Sequence, residues 1–366
     1  MKNTIFFKIF IILIIYSKTQ DYTISEVLKN DKQGNILVKK LLNDEGIRRD
    51  KNIDYTCAVY DENYNMIATA SCFGNTLRCL AISKEHQGEG LVNRIFSHLL
   101  QYQFERNNFH VLFYTKYTTA KYFSNLGFYE IAKVTDQIVF MENKKNGFQD
   151  YLNKLAKTTK EGEKIAAIVM NANPFTLGHQ YLVEKASKEN DILHLFILSE
   201  DKSIFPFYIR KKLVLEGTSH LKNVIYHESG PYIVSRATFP GYFQKDQNAV
   251  IESHANLDLE IFAQIARTLS INVRYFAENK DNIETEMYNN IMEEKLPKYG
   301  IKCNLISRRN DDSGDIINSS NVRKLIKFGD FEKIQKLVPE STFQFLISPQ
   351  AKEINRKIKT IDENKL

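Results

Sequence analysis

Residues 171–180 read Asn171-Ala172-Asn173-Pro174-Phe175-Thr176-Leu177-Gly178-His179-Gln180, and what flanks them decides the fold of the larger part of the chain. Before them runs Ile165-Ala166-Ala167-Ile168-Val169-Met170, an unbroken apolar stretch that reads as a buried parallel strand. After them comes Tyr181-Leu182-Val183-Glu184-Lys185-Ala186, whose apolar Leu182, Val183 and Ala186 recur at helical spacing. An Asn-Pro turn therefore carries the chain from a strand into a helix with Gly178 and His179 in its first turn. The amides at a helix start have no partner inside the helix, and the dipole there favours an anion. Gly178 lets a phosphate come close to the backbone, and His179 adds an N–H donor. The stretch reads as a phosphate site.

A Gly-His pair at a helix start is by itself a common structural feature. Its weight comes from a second element, Ile317-Asn318-Ser319-Ser320-Asn321-Val322-Arg323, which heads another amphipathic segment (Val322, Leu325, Ile326). Alone, Asn318, Ser319 or Ser320 reads as a helix cap, and Arg323 as a solvated charge. Together the two elements, each at a strand-to-helix junction, supply the donors a polyphosphate needs. The spelling Thr176-x-Gly178-His179 resembles that of nucleotidyltransferases.

At 366 residues the chain is longer than one ordinary domain, and two are expected. It is 43% hydrophobic and 26% charged, a globular composition, and its net charge of +6 is spread among interspersed lysines and carboxylates. No stretch forms a nucleic-acid stripe, so the mild basicity fits phosphate substrates. Cys57, Cys72, Cys79 and Cys303 lack C-x-x-C spacing and are expected to be reduced and packed. Lys2 and the apolar run Ile5 to Tyr16 resemble the n- and h-regions of a signal peptide, but no A-x-A cleavage site follows. Lys8 interrupts the run, which is shorter than the roughly 20 residues a membrane span needs. An upstream translation start, or an apolar lead with a local packing role, is the alternative reading of residues 1–20.

Residues 21–142 read as one domain. Strands are expected at 55–60, 66–71, 76–82 and 111–114. The turn Gln87-Gly88-Glu89-Gly90 leads into a helix with Leu91, Ile95, Leu99 and Tyr102 on one face. This order resembles the GNAT acyltransferase fold, an α+β domain whose Gly turn holds the pyrophosphate of acyl-CoA. Gln87, Gly88 and Gly90 are the implied CoA-like contacts. Two departures stand out: Val92 takes a small-residue position, and Phe123 stands where many such enzymes carry a proton-donating tyrosine. The domain reads as a binding or docking module, with acetyl transfer as the alternative.

Residues 143–163 form a lysine-rich helical linker. Residues 164–347 alternate strands (165–170, 193–198, 224–226, 273–276) with helices, the pattern of a doubly wound, Rossmann-like parallel sheet. The whole chain is thus α/β. Residues 348–366 are expected to be a charged, frayed tail.

Further stretches carry a closer resemblance: Ser203-Ile204-Phe205-Pro206-Phe207 leading to Arg210, and Ser229-Gly230-Pro231-Tyr232-Ile233-Val234-Ser235-Arg236-Ala237-Thr238-Phe239-Pro240-Gly241-Tyr242-Phe243. With the GNAT-like front half, the chain from about residue 21 to 347 resembles the citrate lyase ligases. The resemblance implies an ATP-dependent enzyme that forms acetyl-AMP from acetate and releases pyrophosphate. It then acetylates the phosphopantetheine-type thiol of the citrate lyase acyl carrier subunit. Under it, Thr176 and His179 donate to the α and β phosphates. Ser319 and Ser320 hold the phosphate chain, and Arg323 stabilises the departing pyrophosphate. Gly178 and Phe175 belong to the nucleotide site, and Asn171 and Asn173 shape its loop. Mg²⁺ is held mainly by the phosphates, with no protein metal site. Arg210 and Arg236 are candidate substrate contacts, Arg236 equally a structural ion-pair partner. An ATP user is expected in the cytoplasm, without nucleic-acid or membrane partners.

Asn318 replaces a serine usual in that family, and Ala277-Glu278-Asn279-Lys280 replaces a Gly-x-Glu-Pro segment. Two other readings stay open. One is an adenylyltransferase acting on a phosphorylated small molecule; the other is a CoA-binding or docking protein whose nucleotide site has decayed.

Overall fold

A computed structural model describes residues 22–362 except 201, 234, 236, 237, 245, 279–282, 312, 313 and 315. The apolar leader, Arg236, Asn279 and Lys280 therefore lie outside the described residues. Contacts divide the described residues into two compact units, one within 22–131, 135–145 and 240–244, the other within 132–134, 146–239 and 246–362. Among the described residues no helix is long and apolar enough to cross a membrane.

The first unit's elements begin with β1 (Thr23–Glu26), α1 (Lys32–Asp44), β2 (Tyr55–Tyr60), β3 (Met66–Phe73) and β4 (Thr76–Ile82). They continue with α2 (Leu91–Glu105), β5 (Leu112–Lys116), α3 (Ala120–Ser124), β6 (Tyr129–Val134) and β7 (Ile138–Glu142). The sheet order is β1-β2-β3-β4-β5-β7-β6. β1 to β4 run antiparallel to one another, whereas β4 and β5 are parallel and pair at Thr76–Leu112 and Leu77–Phe113. The strands expected at 55–60, 66–71, 76–82 and 111–114 are thus present as β2 to β5 of one α+β unit. Leu91, Ile95 and Leu99 of α2 are buried, as their spacing required. Phe123 sits in an aromatic core, 5.1 Å from Phe96 and 4.5 Å from Phe113 between ring centroids. Gly88 and Gly90, at φ 93° and 74°, hold left-handed conformations that L side chains resist, so the turn into α2 needs glycine there. Cys57, Cys72 and Cys79 are free and buried, and burial pushes the Cys72 and Cys79 thiols up to about 12.

The second unit's elements begin with α4 (Gly147–Ala156), β8 (Ile165–Met170), α5 (Leu177–Glu189), β9 (Ile192–Ile197), α6 (Phe207–Gly217) and β10 (Val224–Glu228). They continue with α7 (Gln247–Leu269), β11 (Val273–Ala277), α8 (Ile283–Lys295), β12 (Lys302–Ile306), α9 (Ser319–Phe328), α10 (Phe331–Gln335), α11 (Glu340–Ile347) and α12 (Lys352–Thr360). Every recorded pairing is parallel and the order is β10-β9-β8-β11-β12. The order reverses direction beside the central strand β8, where ligands of open α/β sheets bind at the carboxyl ends of the strands. Leu193, Leu195 and Ile197 of β9 join the core that also takes Val183, Leu213, Val322 and Ile326. On the opposite face Arg274 of β11 pairs with Asp258 of α7 at 3.1 Å, and its guanidinium lies 4.0 Å from the centroid of the Phe262 ring.

Two sequence expectations change here. β12 was missed, because Lys302-Cys303-Asn304 breaks the apolar run of an edge strand that is covered on fewer sides. The tail does not simply fray: Ile354 and Ile358, four residues apart, bury one stripe of α12 in the core.

Candidate nucleotide site

Asn173-Pro174 is a cis peptide bond, and it ends β8 in a turn that leads straight to α5. Both asparagines of the turn shape it: Asn171 Oδ1 accepts from the Ser203 hydroxyl at 3.1 Å, and Asn173 Oδ1 from the Phe205 amide at 2.9 Å. Thr176 is the N-cap of α5. Its hydroxyl accepts from the His179 amide at 3.4 Å and lies 2.8 Å from His179 Nδ1. The Thr176 amide donates to the same Nδ1 at 3.2 Å. That nitrogen is therefore the ring's acceptor, which leaves the proton on Nε2. Burial first, and then the charge of Arg308, push the imidazole down to about 4, so the ring is neutral at pH 7 and keeps its Nε2–H donor.

The helix starts differ in how many amides they leave open. In α5 the Leu177 amide donates to the Leu337 carbonyl at 2.9 Å and the His179 amide to its cap. The Gly178 amide has no partner among the described residues. In α9 Asn318 is the N-cap and accepts from the Asn321 amide at 2.8 Å, which leaves the amides of Ser319 and Ser320 open in the same sense. Gly178, His179, Ser319 and Ser320 line one cleft of about 360 Å³, with Tyr181, Leu182, Ala277, Ile306, Ser307, Arg308 and Asn318. The open amides of two helices thus meet at one cavity.

Three contacts weld the two elements. A Cβ on Gly178 would sit 2.6 Å from the Ile317 carbonyl oxygen, so glycine allows the approach of the second element to the first. The Ser319 hydroxyl donates to the Pro174 carbonyl at 2.8 Å. Arg323 donates from Nη1 to the Asn173 carbonyl at 2.5 Å and from Nη2 to the Ser320 hydroxyl at 2.9 Å. Burial pushes its guanidinium down to about 10, which leaves it charged at pH 7.

The geometry places four of the expected site residues as follows. Thr176 is fully buried, and its hydroxyl is directed at His179. Phe175 is also fully buried in the core, and its ring packs where a Cβ on Gly217 would come within 2.5 Å. Arg210 is buried and donates to the carbonyls of Phe205, Asn171, Leu198 and Glu200 at 2.6–3.0 Å, a set of contacts that braces the loops around the strand ends. Arg323 is directed at the Asn173 carbonyl and Ser320. Ser307 and Arg308, by contrast, were missed, because the strand that delivers them was missed.

In the other unit, Gln87 and Gly88 are exposed at the turn and Gly90 caps α2 without a side chain. The Tyr122 hydroxyl donates to Asn93 Oδ1 at 2.9 Å. Among the described residues no group of three or more His, Cys, Asp or Glu gathers to hold a metal ion.

The chain is similar to several known proteins. Residues 165–346 match the family model described as the citrate lyase ligase C-terminal domain. The citrate (pro-3S)-lyase ligase of Klebsiella pneumoniae is 37% identical over 287 residues, 77% of this chain and 84% of that protein. The protein of the same name from Haemophilus influenzae is 34% identical over 315 residues, 85% of this chain and 94% of that one. Among solved structures, a putative acyl-CoA N-acyltransferase from Klebsiella pneumoniae subsp. pneumoniae aligns at 15% identity, covering 34% of this chain and 97% of that chain, with a TM-score of 0.29.

Proposed function

Since this chain belongs to the citrate lyase ligase family, we propose that it is an ATP-dependent ligase that acetylates the prosthetic-group thiol of the citrate lyase acyl carrier subunit, switching the lyase on. The observation that carries the reading is the convergence of open amides from Gly178, Ser319 and Ser320, with the neutral His179 ring, on one cleft.

The chemistry runs in two steps. An acetate oxygen attacks the α-phosphorus of ATP in line; the bond to the bridging oxygen breaks, giving acetyl-AMP and pyrophosphate. The carrier thiolate then attacks the acetyl carbon and AMP leaves, the thiol proton passing to solvent. The first step needs positioning and charge neutralisation rather than a protein nucleophile. The amides at the two helix starts and the Nε2–H of His179 supply donors where negative charge grows as pyrophosphate departs. Thr176 fixes the tautomer that makes Nε2 the donor, and Arg323 keeps the two elements in register. Tyr181, Leu182, Ala277 and Ile306 give the cleft an apolar wall suited to the adenine base. Mg²⁺ would ride on the phosphate oxygens, its usual mode with nucleotides, and neutralise their charge. The GNAT-like unit, with Gln87, Gly88 and Gly90 at its turn and Phe123 in place of a proton donor, would bind the CoA-like arm rather than catalyse transfer. The site of action is the cytoplasm.

The test is exchange of labelled pyrophosphate into ATP. Exchange that requires acetate supports the ligase. Exchange that requires a phosphorylated acceptor instead assigns an adenylyltransferase, and ATP binding without any exchange assigns a docking protein.

A further inference from the structure

We infer that Arg308 is a phosphate-binding residue of this cleft, supplying the counter-charge for the pyrophosphate end of the nucleotide that the sequence motif assigns to Arg323. The inference rests on the nucleotide reading of the site. A polyphosphate brings several negative charges, and open amides contribute only fractional positive charge at a helix start. Among the described residues that line the cleft, Arg308 is the one with a formal charge at pH 7. Arg323 is absent from that lining and is directed at the Asn173 carbonyl and the Ser320 hydroxyl.

The backbone around Arg308 is held from both sides. Before it, the Ser307 hydroxyl donates to the Glu278 carboxylate at 3.1 Å, and the Glu278 amide donates to the Ile306 carbonyl at 2.9 Å. After it, the Ile317 amide donates to the Arg309 carbonyl at 3.1 Å, which ties this loop to the residue just before the α9 cap. Arg308 is thus carried by a pinned segment at the carboxyl end of β12, on the edge of the sheet where ligands of this architecture bind. Its charge also bears on His179, where it adds to the larger effect of burial in lowering the imidazole pKa. A planar guanidinium suits this place, since it can bridge two phosphate oxygens while the amides hold others.

The experiment is calorimetric titration of the full chain with inorganic pyrophosphate and, separately, with Mg·ATP. Arg308→Ala is expected to weaken pyrophosphate binding by about tenfold or more, the scale of one charge-assisted contact, with Arg308→Lys recovering part of the loss. Arg309→Ala, at the exposed neighbouring position, is expected to bind within about twofold of the unmodified chain. If Arg308→Ala binds pyrophosphate as tightly as the unmodified chain, the inference is overturned. If Arg308→Ala does not fold by circular dichroism, Arg308→Gln takes its place under the same criterion. Because the titration uses no acetate, it decides the role of Arg308 even if acetate-dependent exchange is absent and the ligase reading falls.

Discussion

Arg323 reaches back 150 residues to donate to the main-chain carbonyl of Asn173 at 2.5 Å, joining the head of α9 to the turn that starts α5. The same guanidinium holds the Ser320 hydroxyl, so one side chain sets the spacing of both phosphate-binding elements. Replacing it should loosen a junction as well as remove a charge. Arg323→Ala is expected to lower acetate-dependent pyrophosphate exchange by about 10²-fold, the scale of a small misplacement of positioned groups, and to reduce the thermal midpoint. Arg323→Lys should restore little, because one ammonium does not reproduce the planar fork. An Arg323→Lys enzyme with full exchange would remove the geometric role.

Gly178 is required by the approach of another backbone. In Gly178→Ala the new methyl meets the Ile317 carbonyl at 2.6 Å, and neither partner is a flexible side-chain end. The expected cost is about 1–3 kcal/mol of stability, the scale of an overpacked contact, together with displacement of the α9 head and loss of exchange. Urea unfolding and the exchange assay check the two effects separately; unchanged values in both would contradict the contact.

Arg210 should behave as part of the scaffold. Its removal leaves the carbonyls of Phe205, Asn171, Leu198 and Glu200 without their donor. Arg210→Met is expected to destabilise the protein by roughly 2–4 kcal/mol. In whatever fraction stays folded, the KM for acetate should be near normal. A large rise in that KM with unchanged stability would restore the substrate role that the sequence suggested.

Acid should destabilise the second unit through its buried imidazoles. His194 Nδ1 and His227 Nε2 lie 2.8 Å apart on neighbouring strands. Burial pushes both rings down, His194 to about 4 and, with its partner's added effect, His227 to about 3; His179 is held at about 4. A folded pKa below the unfolded value of roughly 6.5 means that the unfolded chain binds more protons. The stability these neutral rings contribute is complete above that value and is lost as pH falls toward their folded values. Urea midpoints should therefore drop between about pH 6.5 and pH 4. His227→Gln, which keeps a hydrogen-bonding group but does not titrate, should show a shallower drop. Equal slopes would exclude the pair as the source.

The core of the second unit was legible in the chain because its signals are local. Ile165–Met170 is apolar throughout, Leu182, Val183 and Ala186 repeat at helical spacing, and Asn318 caps its helix within three residues. The edge strand β12 was not legible. Its partners are supplied by β11 from elsewhere in the chain, and its own residues alternate too weakly to announce it. With it went Arg308, which has no motif of its own and reaches the cleft only because that strand closes the sheet.

From the residues alone come the periodicities, the two donor-rich turns and the likeness to a family of ligases. All of these depend on neighbours a few positions away. The fold decides which way each polar group faces. Thr176 and Arg323 have the same chemistry in any conformation. Yet the first is turned inward to orient an imidazole and the second to grip a carbonyl, because those partners arrive there only when distant strands pack side by side. A donor's type is a property of its residue, but its target depends on what long-range burial leaves beside it.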